Sequence, residues 1–205
     1  MKSFPNQIPV FPLSGVIYFP QTNLPLNIFE QRYLDLVNDC FRKDKLMGMI
    51  QSKRKNEELY KVGCLGKISD FQKSEDGRIL INLTGITRFH VLEEVKNSKL
   101  YREFKVDYEK FSLDLKPTLE EINTESLMKK AEVFFKKSGL LLNWREFNNL
   151  DKIQKINTLA MIAPLTNEEK QTLLESVSFK EKTKTLNEII NFYLHEVDFN
   201  NQTIQ

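Results

Sequence analysis

Three charged residues, Glu30, Arg32 and Arg88, sit where a side chain could do more than solvate a surface. Glu30 follows an alternating run in which Leu24, Leu26 and Ile28 face one way and Pro25 and Asn27 the other. It precedes a helix-spaced set, Phe29, Tyr33, Leu36, Val37, Cys40 and Phe41. A carboxylate there stands near the positive end of a new helix, with Arg32 two positions on. A strand that becomes a helix with no Gly or Ser between them needs tertiary support. An ion-pair cluster of Glu30, Arg32 and Arg88 is expected to supply it, since such pairs set geometry more than stability. The competing reading puts the same residues on the wall of a ligand groove. Other chemistry lacks its residues. The seven glycines form no GxxxxGK[ST] phosphate loop. His90 and His195 have no second His or Cys at ligand spacing, so no metal is expected. Cys40 and Cys64 read as small core residues and not as a disulfide. No catalytic residue and no cofactor is assigned.

The elements that must position these residues fall into two groups. Residues 8–28 are strand material broken by Pro9, Pro12, Pro20 and Pro25, which points to short strands at sheet edges or bulges. A helix from about Glu30 to Lys43 follows, then a buried strand at 46–52. Residues 59–71 and 79–92 are rich in β-branched and aromatic residues and are joined through Asp76-Gly77, a hairpin signal. Gly85 marks a bulge or a close backbone approach. A last strand spans 103–111. Short, edge-heavy strands suit a small barrel-like sheet.

From Lys116 onward the pattern is helical. Capping boxes occur at Thr118/Glu121, Thr166/Glu169 and Ser178/Glu181. Apolar stripes run through Leu127, Met128, Ala131, Phe134 and Phe135, through Ile153 to Ala163, and through Phe179 to Val197. The fold class is therefore α+β, with a β subdomain over residues 1–115, a helical bundle over 116–199 and a polar tail over 200–205.

Four stretches together carry a family resemblance: IPVFPLSGVIYFP (8–20), LPLNIFEQRY (24–33), TGITRFHV (84–91) and NTLAMIAPLTNEEKQTLLES (157–176). The chain resembles the N-terminal, substrate-binding domain of Lon proteases over nearly its whole length. That resemblance implies a PUA-like β pseudo-barrel holding one helix, followed by a helical bundle. It also implies a stand-alone, non-catalytic module that binds unfolded or degradation-marked polypeptides. The protease part of the family uses a Ser-Lys dyad in a separate domain, which has no counterpart in these 205 residues. Full-length Lon protease is an implied partner, and self-association is a second.

Fifteen phenylalanines, six tyrosines and one tryptophan exceed what a binding patch needs, so most must be core. Phe11, Phe19, Arg32, Tyr33 and Trp144 are the candidates for peptide contact. An alternative is RNA binding through the basic 53–73 face, with Lys53-Arg54-Lys55, Lys61, Lys67 and Lys73. Glu57 and Glu58 dilute that face, and no aromatic residues interleave for base stacking. Composition is that of a soluble globular protein, and a net charge of +2 gives no global field for nucleic acid or anionic membrane. Pro5, Pro9 and Pro12 would break a signal-peptide core, and no apolar run approaches the ~18 residues of a membrane span. A cytoplasmic protein with no membrane partner is expected.

Overall fold

The computed structural model describes residues 4–54, 58–116 and 122–202. The Thr118/Glu121 capping box, Lys55, Glu57 and the end of the tail, 203–205, lie outside the described residues. Two compact units are present, Met1–Pro117 and Thr118–Gln205.

The first unit contains β1 (Gln7–Leu13), β2 (Asn23–Ile28), α1 (Gln31–Phe41), β3 (Leu46–Arg54), β4 (Glu58–Lys73), β5 (Ile79–Val95) and β6 (Arg102–Asp107). Strand order is β2-β5-β4-β3-β1-β6, and β6 also pairs with β5. The pairings curl the sheet into a pseudo-barrel without closing it along its whole height. Its core gathers Ile8, Val10, Ile50, Leu65, Phe89, Val91, Phe104 and Val106.

The prolines are placed by their missing donors. Pro25 stands on β2, a terminal strand, as expected of an edge. Pro9 and Pro12 stand on β1, which is internal, contrary to the edge expectation. The reason lies in the register. Gln7–Val10 pair with β6 and Val10–Leu13 pair with β3, so each proline meets a ladder on one side only.

β2 passes into α1 at Glu30, whose carbonyl accepts the Tyr33 and Leu34 amides. The helix buries Tyr33, Leu36, Val37 and Cys40 and ends at Phe41, two residues short of the expected Lys43. Phe29 and Phe41 do not join that face: they are 66% and 39% exposed. Phe41 instead packs on Phe71, with the rings tilted and their centroids 4.5 Å apart. Cys40 and Cys64 are free and buried, and burial pushes the Cys40 thiol up to about 12.

The strand expected over 103–111 stops at Asp107 and becomes a 3-10 helix, Glu109–Asp114. The Asp107 side chain accepts the Glu109 amide at 3.1 Å, a local bond that competes with the ladder. Gly85 fulfils both of its expected roles. The β4–β5 register shifts beside it, and the Gly85 amide donates to Thr22 O at 2.9 Å. A Cβ there would lie 2.1 Å from Phe19 O.

The second unit holds α2 (Glu125–Lys137), α3 (Trp144–Asn148), α4 (Lys152–Ile162), α5 (Asn167–Glu175) and α6 (Phe179–Gln202). Thr166 and Glu169 form the expected capping box. At Ser178 only half of it forms: Ser178 accepts the Glu181 amide, while the Glu181 carboxylate takes the Val177 amide. A box not expected closes α4 between Asp151 and Gln154. Lys182 is buried among the helices, where its ammonium donates to Asn157 at 2.8 Å.

The close approach at Gly85 yields a direct test. Gly85→Ala should destabilise the protein by about 1–3 kcal/mol in urea unfolding, because backbone and not a movable side chain blocks the methyl. An unchanged midpoint would mean that the Phe19–Gly85 approach is not tight.

Candidate functional site

The strand-to-helix junction brings together some of the expected residues and separates others. The Glu30 carboxylate receives Arg32 at 2.7 Å from Nη2 and 3.0 Å from Nε, with both side chains nearly half exposed. The Arg32 guanidinium lies 4.5 Å over the Tyr33 ring, and Tyr33 packs on Phe11 at 4.2 Å. Burial raises the Tyr33 hydroxyl above its ordinary value. Tyr33 and Phe11 are core residues at 6% and 7% exposure, and Phe19 is fully enclosed. Three of the five expected peptide contacts are thus closed to solvent, leaving Arg32 and Trp144. The exposed aromatic at the junction is Phe29, hidden from sequence reading because its spacing fits the buried helix face.

Arg88 is not part of the Glu30–Arg32 pair. It lies on β5 opposite Cys64, with its side chain 3% exposed. Asp114, from the 3-10 helix, meets it with both oxygens: Nη2 to Oδ1 is 2.7 Å and Nε to Oδ2 is 2.9 Å. Oδ2 also accepts the Arg88 backbone amide at 2.9 Å, and the guanidinium lies 4.4 Å over the Phe111 ring. This is a buried fork-to-fork pair that docks the 3-10 helix on the sheet. The expected structural cluster therefore divides into a surface pair and a buried clamp with a partner 26 residues away.

Trp144 belongs to a second surface, in the helical unit. Gly139, at φ +68°, ends α2, and the Leu140 amide turns back to Phe135 O at 3.0 Å. Asn143 caps α3 by accepting the Glu146 amide. Between these two fixed ends, Leu140, Leu141 and Leu142 are held as a short apolar loop. With Trp144, Glu132 and Lys136 they line an open cleft of about 560 Å³. Leu141 is fully solvated, and Trp144 is half-buried, edge-on to Phe135 at 5.8 Å and to Phe147 at 5.4 Å. The run of three leucines between helix-ending and helix-starting residues was the signal for this surface.

A third cleft, of about 300 Å³, is lined by Asp39, Asp44, Glu103 and Tyr101. Asp39, Tyr101 and Glu103 are tied together through Lys99. Tyr101 donates to Asp39 at 2.7 Å, and Lys99 donates to Tyr101 at 2.8 Å and to Glu103 at 2.9 Å. No group of acidic, His or Cys side chains among the described residues could hold a metal ion. On the basic 53–73 face, Lys53 is bound by Glu58. The Arg54 side chain and Lys55 lie outside the described residues. Lys61, Lys67 and Lys73 are exposed at intervals along β4.

The sequence model described as "ATP-dependent protease La (LON) substrate-binding domain" matches residues 7–191. Lon protease 2 of Myxococcus xanthus is 25% identical over 203 residues, covering 93% of this chain and 24% of that protein. Lon protease of Syntrophus aciditrophicus (strain SB) is 25% identical over 206 residues, covering 93% and 25%. The chain thus spans about a quarter of the length of these curated relatives. A Lon N-terminal domain protein from Xanthomonas campestris has the same fold, with TM-score 0.65, 23% identity and coverage of 90% of this chain and 97% of that one. The N-terminal domain of Mycobacterium avium complex Lon protease aligns with TM-score 0.59 and 16% identity, covering 90% and 98%. No helix among the described residues is long and apolar enough to cross a membrane.

The two ion pairs should respond differently to truncation. Asp114→Ala leaves the Arg88 guanidinium buried beside an empty site and should cost about 3–5 kcal/mol in denaturant unfolding. Glu30→Ala removes a solvated pair and should cost about 1 kcal/mol or less. Equal effects would contradict the division between clamp and surface pair.

Proposed function

This chain belongs to the ATP-dependent protease La (LON) substrate-binding domain family, and from that premise we propose that it binds polypeptide without hydrolysing it. The observation that carries this reading is the open apolar cleft around Leu141 and Trp144. A leucine held fully in water on a loop anchored at both ends gains stability only when something covers it, at about 25 cal/mol per Å² of apolar surface. Unfolded or degradation-marked segments offer the complementary apolar side chains. In this reading the protein works in the cytoplasm, holds clients for or against a full-length Lon protease, and can associate with itself.

The basic 53–73 face gives the RNA alternative little support. Lys53 is neutralised by Glu58, and Lys61 and Lys67 stand six positions apart on the strand, about 20 Å.

Trp144 is the only tryptophan, so its emission reports on the cleft directly. Titration with a reduced, permanently unfolded protein should shift that emission to the blue. Leu141→Ser should weaken binding about tenfold or more while leaving the melting temperature unchanged, because Leu141 makes no buried contact. Unmoved emission, or binding indifferent to Leu141→Ser, would sink the proposal for this cleft. Binding of RNA that collapses between low and moderate salt would replace it with the nucleic-acid reading.

A further inference from the structure

The β4–β5 ladder runs from Lys73↔Ile79 to Val62↔His90 and stops there. At His90, β5 pairs with β4 on one side and with Asp107 of β6 on the other, so β4 and β6 occupy opposite edges. Beyond His90, β5 continues to Val95 on β6 alone. Read back from Val62, β4 continues to Glu58 along β3, through Leu59↔Ser52 and Glu58↔Arg54. The two strands therefore diverge as a fork, and no ladder joins Glu58–Lys61 to Val91–Val95 among the described residues.

A cleft of about 310 Å³ lies in this fork. Its floor is apolar, made by Leu59, Val91 and Phe104, which belong to or pack on the sheet core. Its rim is charged but largely neutralised: Lys53 with Glu58, Lys105 with Glu93, and Arg102 with Glu94. Lys61 lines the cleft, is exposed, and forms no ion pair with the described residues.

We propose that this fork seats one extended segment of the bound polypeptide as an added strand between β4 and β5. This rests on the reading that the chain binds polypeptide. The occupant follows from the chemistry of the walls. Strand edges recognise a peptide backbone, and an inserted strand meets one on each side, so its amides and carbonyls are satisfied in both directions. One strand between two others needs about 9–10 Å between the outer pair, which admits an extended chain and excludes a helix. Side chains at alternate positions then point to the apolar floor, and an acidic residue of the segment fits opposite Lys61. The segment comes from an unfolded chain and not from the sheet of a second copy, because every strand there already pairs along at least one edge and cannot be paired on both sides by the fork. The ion pairs along the rim keep the open edges from pairing with each other between molecules.

The test uses the full chain and a soluble ten-residue peptide of alternating Val and Thr with one central Glu. Its affinity is compared by calorimetry with that of the same peptide N-methylated at central amides, and amide exchange is followed in both complexes. The parent peptide should slow exchange at the alternate amides of Glu58–Lys61 and Val91–Val95 that face the fork, and each N-methyl group should weaken binding about three- to tenfold. Lys61→Glu should weaken the Glu-containing peptide and not its Gln counterpart. A parent peptide that binds while N-methylation has no effect and the fork amides stay unprotected would overturn the fork and leave polypeptide binding intact. If neither this peptide nor an unfolded protein bound at all, the underlying reading would fail and take the fork with it.

Discussion

The β unit depends on one buried charge and its neutralisation. Arg88 lies within β5 with its guanidinium enclosed, and an unpaired cation there would cost far more than the strand pairing returns. Asp114 answers the side chain and the Arg88 backbone amide together, which requires the 3-10 helix to lie against the sheet. Phe111, fully buried, is fixed between them under the guanidinium. The chain after β6 therefore docks in one place, and β5 keeps the register that lets it pair with β2, β4 and β6 in turn. The same long strand, by serving three partners, opens the fork at its far end.

Local patterns in the sequence were enough for the elements, and long-range chemistry was not. The change of period at Glu30 placed the β2–α1 junction, and Asp76-Gly77 placed the β4–β5 hairpin, because each depends only on neighbouring residues. Thr166 and Glu169 announced α5 for the same reason. The partner of Arg88 could not be read, since Asp114 sits 26 positions away, past the end of the strand expected over 103–111. The five candidate peptide contacts show the limit for sites. Aromatic type marks Phe11, Phe19 and Tyr33 as core or contact equally well, and only packing decides between the two. Leu141 carried no periodic signal, yet it is the most exposed apolar residue described.

In the proposed reading each unit offers one surface to a non-native chain, and the two use different forces. The Leu141–Trp144 cleft offers apolar area, which is indifferent to sequence order and to moderate salt. The β4–β5 fork offers backbone hydrogen bonds, which select for extension and not for side-chain identity. Unfolded polypeptide offers apolar side chains and unpaired backbone together along one segment. Such recognition is broad and modest in strength, because ordering a flexible segment costs entropy that contacts must first offset.

The most direct measurement is calorimetric titration of this protein with one client in two forms, native and permanently unfolded, at two salt concentrations and several temperatures. Polypeptide recognition predicts binding of the unfolded form alone, with a negative heat-capacity change from apolar burial and little dependence on salt. Equal binding of both forms, or no heat from either, would contradict the account.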